Sequence, residues 1–322
     1  MRMIRARRLR DERGIASLMV GVSVVAIFGS AAIAVDLGHL WSSRRHIITA
    51  TDASALAAAS EYALAGDGCA TAPGYIGDND PDASVLACAP YFSGPNSGYV
   101  AVTAETPVDY AFASLIGVPD RAVKSSTTAS WGLPSGMNGL RPFGLCEDDP
   151  NFQSWVGNPS GESAVVRVMY VNDGTECGSA PGNWAVLDLD NVGGVDNNDT
   201  KQWVQFGYSG MVRPGHLGGS PGAISNSLNG DLAAVRYERF PIPIFDRVKE
   251  SGSNSTFHVV GFVGIQLYDW KTTGSEENRY LDLKFVELVG SGECCHNNGT
   301  DFGLRVVHIC DVDGRFEASQ CQ

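Results

Sequence analysis

The densest group of chemistry-bearing side chains lies in one acidic stretch. Asp188, Asp190, Asn191, Asp196, Asn197, Asn198 and Asp199 fall within twelve residues. Carboxylate and amide oxygens at this density are what Ca²⁺ takes, which makes Asp188, Asp190, Asp196 and Asp199 the candidate metal ligands. Their order departs from the D-x-[DN]-x-[DN]-G pattern with a closing Glu, and a solvated acidic turn between strands accounts for the same residues. A second group is sulfur-based: Cys69, Cys88, Cys146, Cys177, Cys294, Cys295, Cys310 and Cys321. Cys294, Cys295, His296, His308 and Cys310 offer zinc-ligand types, but without the C-x-x-C spacing of a zinc knuckle. A serine candidate is Gly218-Gly219-Ser220-Pro221-Gly222, a formal G-x-S-x-G. In a nucleophile elbow the residue after the serine lends its N–H to the oxyanion hole, and Pro221 has none, so the stretch reads as a turn. No H-E-x-x-H, phosphate-binding or dinucleotide motif is found, and the six His are scattered. The sequence is read as non-enzymatic and without a cofactor.

The elements that position these groups begin with a membrane segment. Ile15 to Val35 is a charge-free, apolar run of 21 residues. As a helix, at about 1.5 Å per residue, it spans a hydrocarbon core of about 30 Å. Six Arg precede it within residues 1–14, and Asp36 follows at once. That asymmetry places residues 1–14 in the cytoplasm and the remainder outside. A cleaved signal peptide has a shorter apolar region, so an uncleaved anchor is favoured. Net charge is −13 overall, and residues 37–322 carry 17 basic against 33 acidic side chains. Such a body repels phosphate backbones, and nucleic acid is not an expected partner.

All eight cysteines follow the run, in the exported part. An even count there points to disulfides rather than metal. The favoured pairs are Cys69–Cys88, closing a loop with Pro73, Gly74, Gly77 and Pro81, and Cys146–Cys177. Adjacent Cys294 and Cys295 bond to different partners, Cys310 and Cys321 being nearest.

Beyond the membrane the helical pattern continues to Ala65 and stops at Gly66 and Gly68. Leu37, Trp41, Ile48, Ala55, Ala59 and Tyr62 share one face at spacings of three, four or seven. Residues 99–104 and 122–131 read as strands with a short helix over 108–116 between them. Residues 133–162, rich in Gly, Pro, Asn and Ser, read as linker-like. Further strand-like runs follow at 164–171, 183–189, 203–206, 239–245, 257–267, 280–288 and 302–310, with a short helix within 220–234. The expected fold class is α+β: a long N-terminal helix, transmembrane with an amphipathic extension, then a β-rich, disulfide-stabilised antiparallel ectodomain, sandwich or barrel. The organisation is a basic segment (1–14), a transmembrane helix (15–35), a pilin-like helix with a small α/β unit (36–132), the linker-like stretch (133–162) and a β-rich C-terminal domain (163–322).

Arg10-Asp11-Glu12-Arg13-Gly14, the apolar run, Ala34-Val35-Asp36-Leu37-Gly38, Ser42-Ser43-Arg44-Arg45 and Ala50-Thr51-Asp52-Ala53-Ser54-Ala55-Leu56-Ala57-Ala58-Ala59 together resemble the N-terminal segment of TadE/TadG-like Flp pilus-assembly proteins. Looser likenesses lie at 139–146, 181–188, 240–246 and 258–263. The resemblance implies a bacterial tight-adherence pilus system, a single-pass inner-membrane anchor and a periplasmic or extracellular ectodomain. It also implies pilus partners reached through helix 15–65, with the role of assembly factor or minor-pilin-like subunit. It raises prepilin cleavage after Gly14. The Glu and aromatic that Flp pilins carry at the fifth and sixth positions after the cut are Met19 and Val20 here, which favours an uncut chain. The alternative is a surface adhesin or Ca²⁺-dependent carbohydrate-binding protein using the acidic loop and Trp184, Trp203 and Trp270.

Overall fold

A run of apolar and helix-forming residues without proline makes α1, Glu12–Ala63, a single helix of 52 residues. This computed structural model describes residues 12–156, 161–171, 177, 182–221, 228–249, 255–296 and 300–312. Most of the basic segment 1–14, together with Cys321, therefore lies outside the described residues. α1 is capped by the backbone N–H of Gly66, which bonds to the Glu61 carbonyl at 2.7 Å, with Ala65 in the left-handed region at φ 59°.

The chain reverses into α2, Gly68–Asn79. The Pro- and Gly-rich composition had suggested an open loop here. It is helical because the Asp67 carboxylate caps it, accepting from Ala70 N–H at 3.3 Å, and because Ala72 and Ile76 are buried against α1. Gly68 is required: a Cβ there would stand 2.2 Å from the Ala58 carbonyl oxygen.

Sheet one has six strands. β1 (Ser84–Gly94), β2 (Ser97–Val108) and β3 (Arg121–Met137) form an antiparallel meander. A 3-10 turn at Ala113–Ile116, ended by Gly117, occupies the β2–β3 connection. Three later strands complete the sheet. β13 (Leu304–Val312) pairs antiparallel with β3, β11 (Leu288–Gly290) pairs parallel with β13, and β12 (Gly292–His296) pairs with the end of β3.

The second sheet contains β4 (Phe143–Cys146), β5 (Val166–Met169), β6 (Trp184–Leu187), β7 (Gly215–Pro221), β8 (Arg239–Lys249), β9 (Ser255–Lys271) and β10 (Tyr280–Val286). Its pairings run β9–β7–β6–β4–β8 and return to β9, so five strands close on themselves. β10 and β5 extend from the C-terminal half of β9. Closure removes the exposed edges of those five strands. Residues 133–162 hold the end of β3, the wholly buried β4 and the helix α3, Pro150–Val156, whose Phe152 and Trp155 plug one core cluster with Phe285 and Phe302. A second cluster joins the sheets: Met137 of β3 and Leu304 and Val306 of β13 pack with Leu187, Phe245 and Phe257.

A further element, besides α2, departs in kind from expectation. Trp203–Phe206 ends a helix, α4 (Asn197–Phe206), rather than forming a strand. Asp196 caps it, accepting from Asn198 N–H at 2.6 Å, and Thr200, Trp203 and Val204 bury one helical face. A four-residue apolar run does not distinguish strand from helix, and the cap decides it. The short helix expected within 220–234 is α5, Asn229–Ala234.

Candidate functional site

Among the described residues, the part of the molecule with the most organised polar and apolar chemistry outside the core is α1 and what packs on it. Its first half, from Ala16 to Val35, is exposed at every position except the half-exposed Ala32, so no other described part of the chain covers the apolar run. The helix is long and apolar enough to cross a membrane as a single pass. Its second half has one covered stripe: Asp36, Ile47, Ala50, Thr51, Ser54, Ala55, Ala58, Ala59 and Ala63 are buried. These positions recur at three and four residues, one side of a helix. The stripe meets β2, β3 and α2 through Val100, Val102, Ala129, Trp131 and Ala72. Small side chains let the helix axis approach the sheet closely, and Tyr62 stacks on Trp131 at 5.4 Å to seal its end.

The face read from the sequence is corrected here. Ala55 and Ala59 do face the sheet, whereas Leu37 and Trp41 are 58% and 62% exposed. Close approach selects mainly alanine, serine and threonine, with Leu37 and Trp41 turned outward and Ile47 alone of the larger apolar side chains fully buried, in a cluster with Ile76 and Ala104.

Polar residues in the stripe are satisfied across the helix–sheet seam. Thr127 of β3 donates to Asp52 Oδ1 at 2.7 Å, its Oγ1 lies 3.1 Å from Thr51 Oγ1, and Thr51 Oγ1 lies 3.1 Å from Ser125 Oγ. Ser54 donates to the Ala72 carbonyl at 2.9 Å, pinning α2. At the end next to the apolar run, the buried Asp36 carboxylate accepts from the backbone N–H groups of Ala111 (2.9 Å), Phe112 (3.2 Å) and Ala113 (2.7 Å). Three amides converging on one carboxylate fasten the β2–β3 connection to the helix.

Disulfides brace the scaffold. Cys69 of α2 is bonded to Cys88 of β1, and Cys146 of β4 to Cys177, the two pairs favoured from spacing. Cys294 and Cys310 each take part in a disulfide as well. Asp148 approaches Cys146 and Cys177 at metal-ligand range, but the sulfurs are spent on each other.

The four acidic candidates divide. Asp188, at the end of β6, is buried; its Oδ2 accepts from Gly194 N–H at 3.1 Å and its Oδ1 has no partner. Burial, followed by its neighbour Asp190, pushes the Asp188 carboxyl up to about 6. Asp190 accepts from Val192 N–H at 3.0 Å. Asp196 is engaged as the α4 cap, and Asp199 sits in the first turn of that helix. Asn191, at φ 56°, accepts from Gly218 N–H at 3.0 Å and ties the acidic turn to β7. Trp184 and Trp203 are buried and present no platform, and Trp270, half-buried, donates to Asn229 at 3.1 Å.

Ser220 lies on β7, opposite Val186, so the serine motif is strand rather than turn as far as its described residues go; Gly222 lies outside them. Among the described residues, β8 and β9 bring together a histidine–carboxylate pair that no sequence motif announces. His258 Nδ1 is 2.7 Å from Asp246 Oδ1 across the β8–β9 pairing, and His216 lies against it with ring centroids 5.0 Å apart. The cross-strand register brings them together, and no local motif signals it. His308 of β13 faces Ser130, with Nδ1 3.1 Å from the hydroxyl, and burial lowers its pKa.

Residues 14–61 match the Tad family model, a TadE/G-like Flp pilus-assembly domain. The match covers α1 almost end to end: the apolar run, Asp36, and the small-residue stripe through Ala59. The chain thus carries a TadE/G-like segment, and the resemblance read at residues 10–59 coincides with it. No curated protein matches the chain, and no solved structure does.

Proposed function

We propose that this protein is a membrane-anchored, non-enzymatic component of a bacterial Tad/Flp tight-adherence pilus system. In this reading it sits once across the inner membrane, with residues 1–14 in the cytoplasm and the ectodomain in the periplasm or beyond. The observation that carries the reading is the division of α1. The matched segment joins an uncovered apolar half, suited to lipid and to other helices, to a half clasped by the protein's own sheet. Docking of pilus partners along helix 15–65 then falls to residues 15–35 and to the outward face beyond. The organisation at 36–132 and 163–322 serves as a rigid ectodomain.

Between assembly factor and minor-pilin-like subunit, retention in the membrane as an assembly factor is the better-supported role. Met19 stands where a pilin has its recognition Glu, and one face of the distal helix is already occupied. The test is to shear the native host, fractionate it and take the intact non-reduced mass of the protein. Full-length mass in the inner-membrane fraction is expected. A species cut after Gly14 in the sheared fibres would replace this role with that of a minor pilin. A C-terminal alkaline phosphatase fusion reports the orientation: activity is expected, and an inactive fusion overturns the topology.

A further inference from the structure

The β2–β3 connection, residues 109–120, lies where the apolar run of α1 ends. Asp36, the first residue after the run, holds Ala111, Phe112 and Ala113 by their backbone N–H groups, and His39 Nδ1 lies 3.2 Å from the Asp109 carbonyl oxygen. The loop is therefore fixed at the level of residues 36–39. Its place at the end of the sheet follows from the neighbours of β3. Val123 lies beside Leu37 and Trp41, whereas Ser125 and Thr127 bond to Thr51 farther from the run. Helix and strand thus advance together away from the apolar run, and 109–120 is the end of the sheet nearest to it.

That loop is apolar where an aqueous loop is polar. Leu115 is 80% exposed and Ile116 83%, both more exposed than any described large apolar side chain of the run, where Val25 at 73% is the highest, and Phe112 and Val118 are also exposed. Leu37 and Trp41 face outward on the adjoining turns of α1, lining an apolar recess with Val123 and Arg44, and the Arg45 guanidinium sits 4.8 Å over the Trp41 ring. Aliphatic side chains at the tip, an aromatic one turn above and arginines above that is the layering of a membrane–water interface. Continuity with the exposed apolar run identifies what covers the patch.

We propose that residues 109–120, with Leu37 and Trp41, form a second membrane contact. In it Leu115 and Ile116 insert among the lipids of the bilayer that α1 crosses, and Trp41, Arg44 and Arg45 lie at the headgroups. The proposal rests on the reading of α1 as membrane-spanning. Its consequence is that the ectodomain is held at two points and cannot rotate freely about the helix axis.

The experiment places a photoreactive diazirine amino acid at Leu115, at Val25 or at Phe206 of the full-length chain. The protein is reconstituted into vesicles of phosphatidylethanolamine and phosphatidylglycerol, and the adducts are identified by mass. Phe206, 76% exposed on α4, is the comparably exposed control remote from the run. Lipid adducts at 115 are expected within about threefold of those at 25 and at least about tenfold above those at 206, as befits a side chain inserted in the interface. Asp36→Ala, which releases the loop, is expected to lower the yield at 115 and leave that at 25 unchanged. Lipid adducts at 25 with only water or protein adducts at 115 overturn the proposal and leave the anchor intact. Failure of lipid labelling at 25 overturns the anchor reading itself. In native host membranes, a protein adduct at 115 in place of lipid would assign the patch to a partner subunit and likewise overturn it.

Discussion

If the small-residue stripe of α1 is an internal seam, enlarging it damages the protein in isolation. Ala58 is the sharpest probe. It is fully buried, its carbonyl oxygen lies where a Cβ on Gly68 would come within 2.2 Å, and its cluster includes Val100, Val102, Ala129 and Trp131. Helix α2 presses from one side and the sheet from the other, so Ala58→Leu has no free direction in which to expand. Overpacking of this kind costs about 1–3 kcal/mol, and a site walled by two backbones belongs near about 3. At about 2–4 °C per kcal/mol for larger domains, the melting temperature drops by on the order of 8 °C. The measurement is near-ultraviolet circular dichroism on heating the full-length protein in detergent, where Trp131 reports the seam. Ala57→Leu, at a half-buried position, is the control and is expected to change stability by less than about 1 kcal/mol. An Ala58→Leu protein that melts like wild type yet abolishes pilus output in the host would refute the reasoning, because the stripe would then belong to a partner.

Other perturbations bear on the same scaffold. Thr127→Val removes the hydroxyl that donates to Asp52 Oδ1 at 2.7 Å, and chemical denaturation of the full-length protein is expected to show a loss of about 1.5–3 kcal/mol, as for a hydrogen bond to a charged group. Replacing Cys69 and Cys88 together by serine opens a link of sequence separation 19 and is expected to cost about 3 kcal/mol, seen as a reductant-independent fall in melting temperature. Asp188, raised to about 6 in the folded state, binds more protons there than in the unfolded chain, so its stabilising contribution is present below its ordinary value of 3.8 and is lost as pH rises through about 6. The size of that loss, allowing for solvent screening, is on the order of 1 kcal/mol, and Asp188→Asn is expected to flatten the pH profile of the melting temperature in that window. His308, lowered by burial, slopes the other way: its contribution is present above 6.5 and lost as pH falls, and His308→Gln is expected to remove that acid-side loss.

Local signals were legible where one segment decides its own state. The charge-free run, the helix beyond it and most strands follow from periodicity and composition, and the turn at Gly117 from glycine's tolerance of φ 82°. Whatever depended on a distant partner was not legible. α2 looked like a loop because Pro73 and its glycines conceal that Ala72 and Ile76 are held by α1. The helix face was read from side-chain size, and Leu37 and Trp41 misled it, since a helix lying close against a sheet turns its smallest residues inward. β13 joins the N-terminal meander by pairing with β3 as well as with the short β11, a β3–β13 pairing across some 180 residues that no local pattern encodes. The Asp246–His258 pair is of the same kind, created by strand register alone.

These packing facts bear on how the molecule transmits force. A helix that merely tethered the ectodomain would need a hinge where lipid ends. Here the last glycine of α1 is Gly38, and Asp36, two residues before it, is locked to the β2–β3 connection by three amides. From there the stripe binds the sheet to Ala63, and α2 and the Cys69–Cys88 bond close over its end. The Asp36–Ala63 stretch, 28 residues or about 42 Å of helix at about 1.5 Å each, is therefore clad along one side with no free segment between the apolar run and the sheet. Bending it requires breaking the seam, not rotating a linker. A rigid, oriented ectodomain is what a component must offer if neighbouring subunits are to find it at a fixed height above the membrane, whereas a flexible tether suits a ligand-sampling adhesin. The clad helix is thus an argument for assembly over adhesion that is independent of the family match.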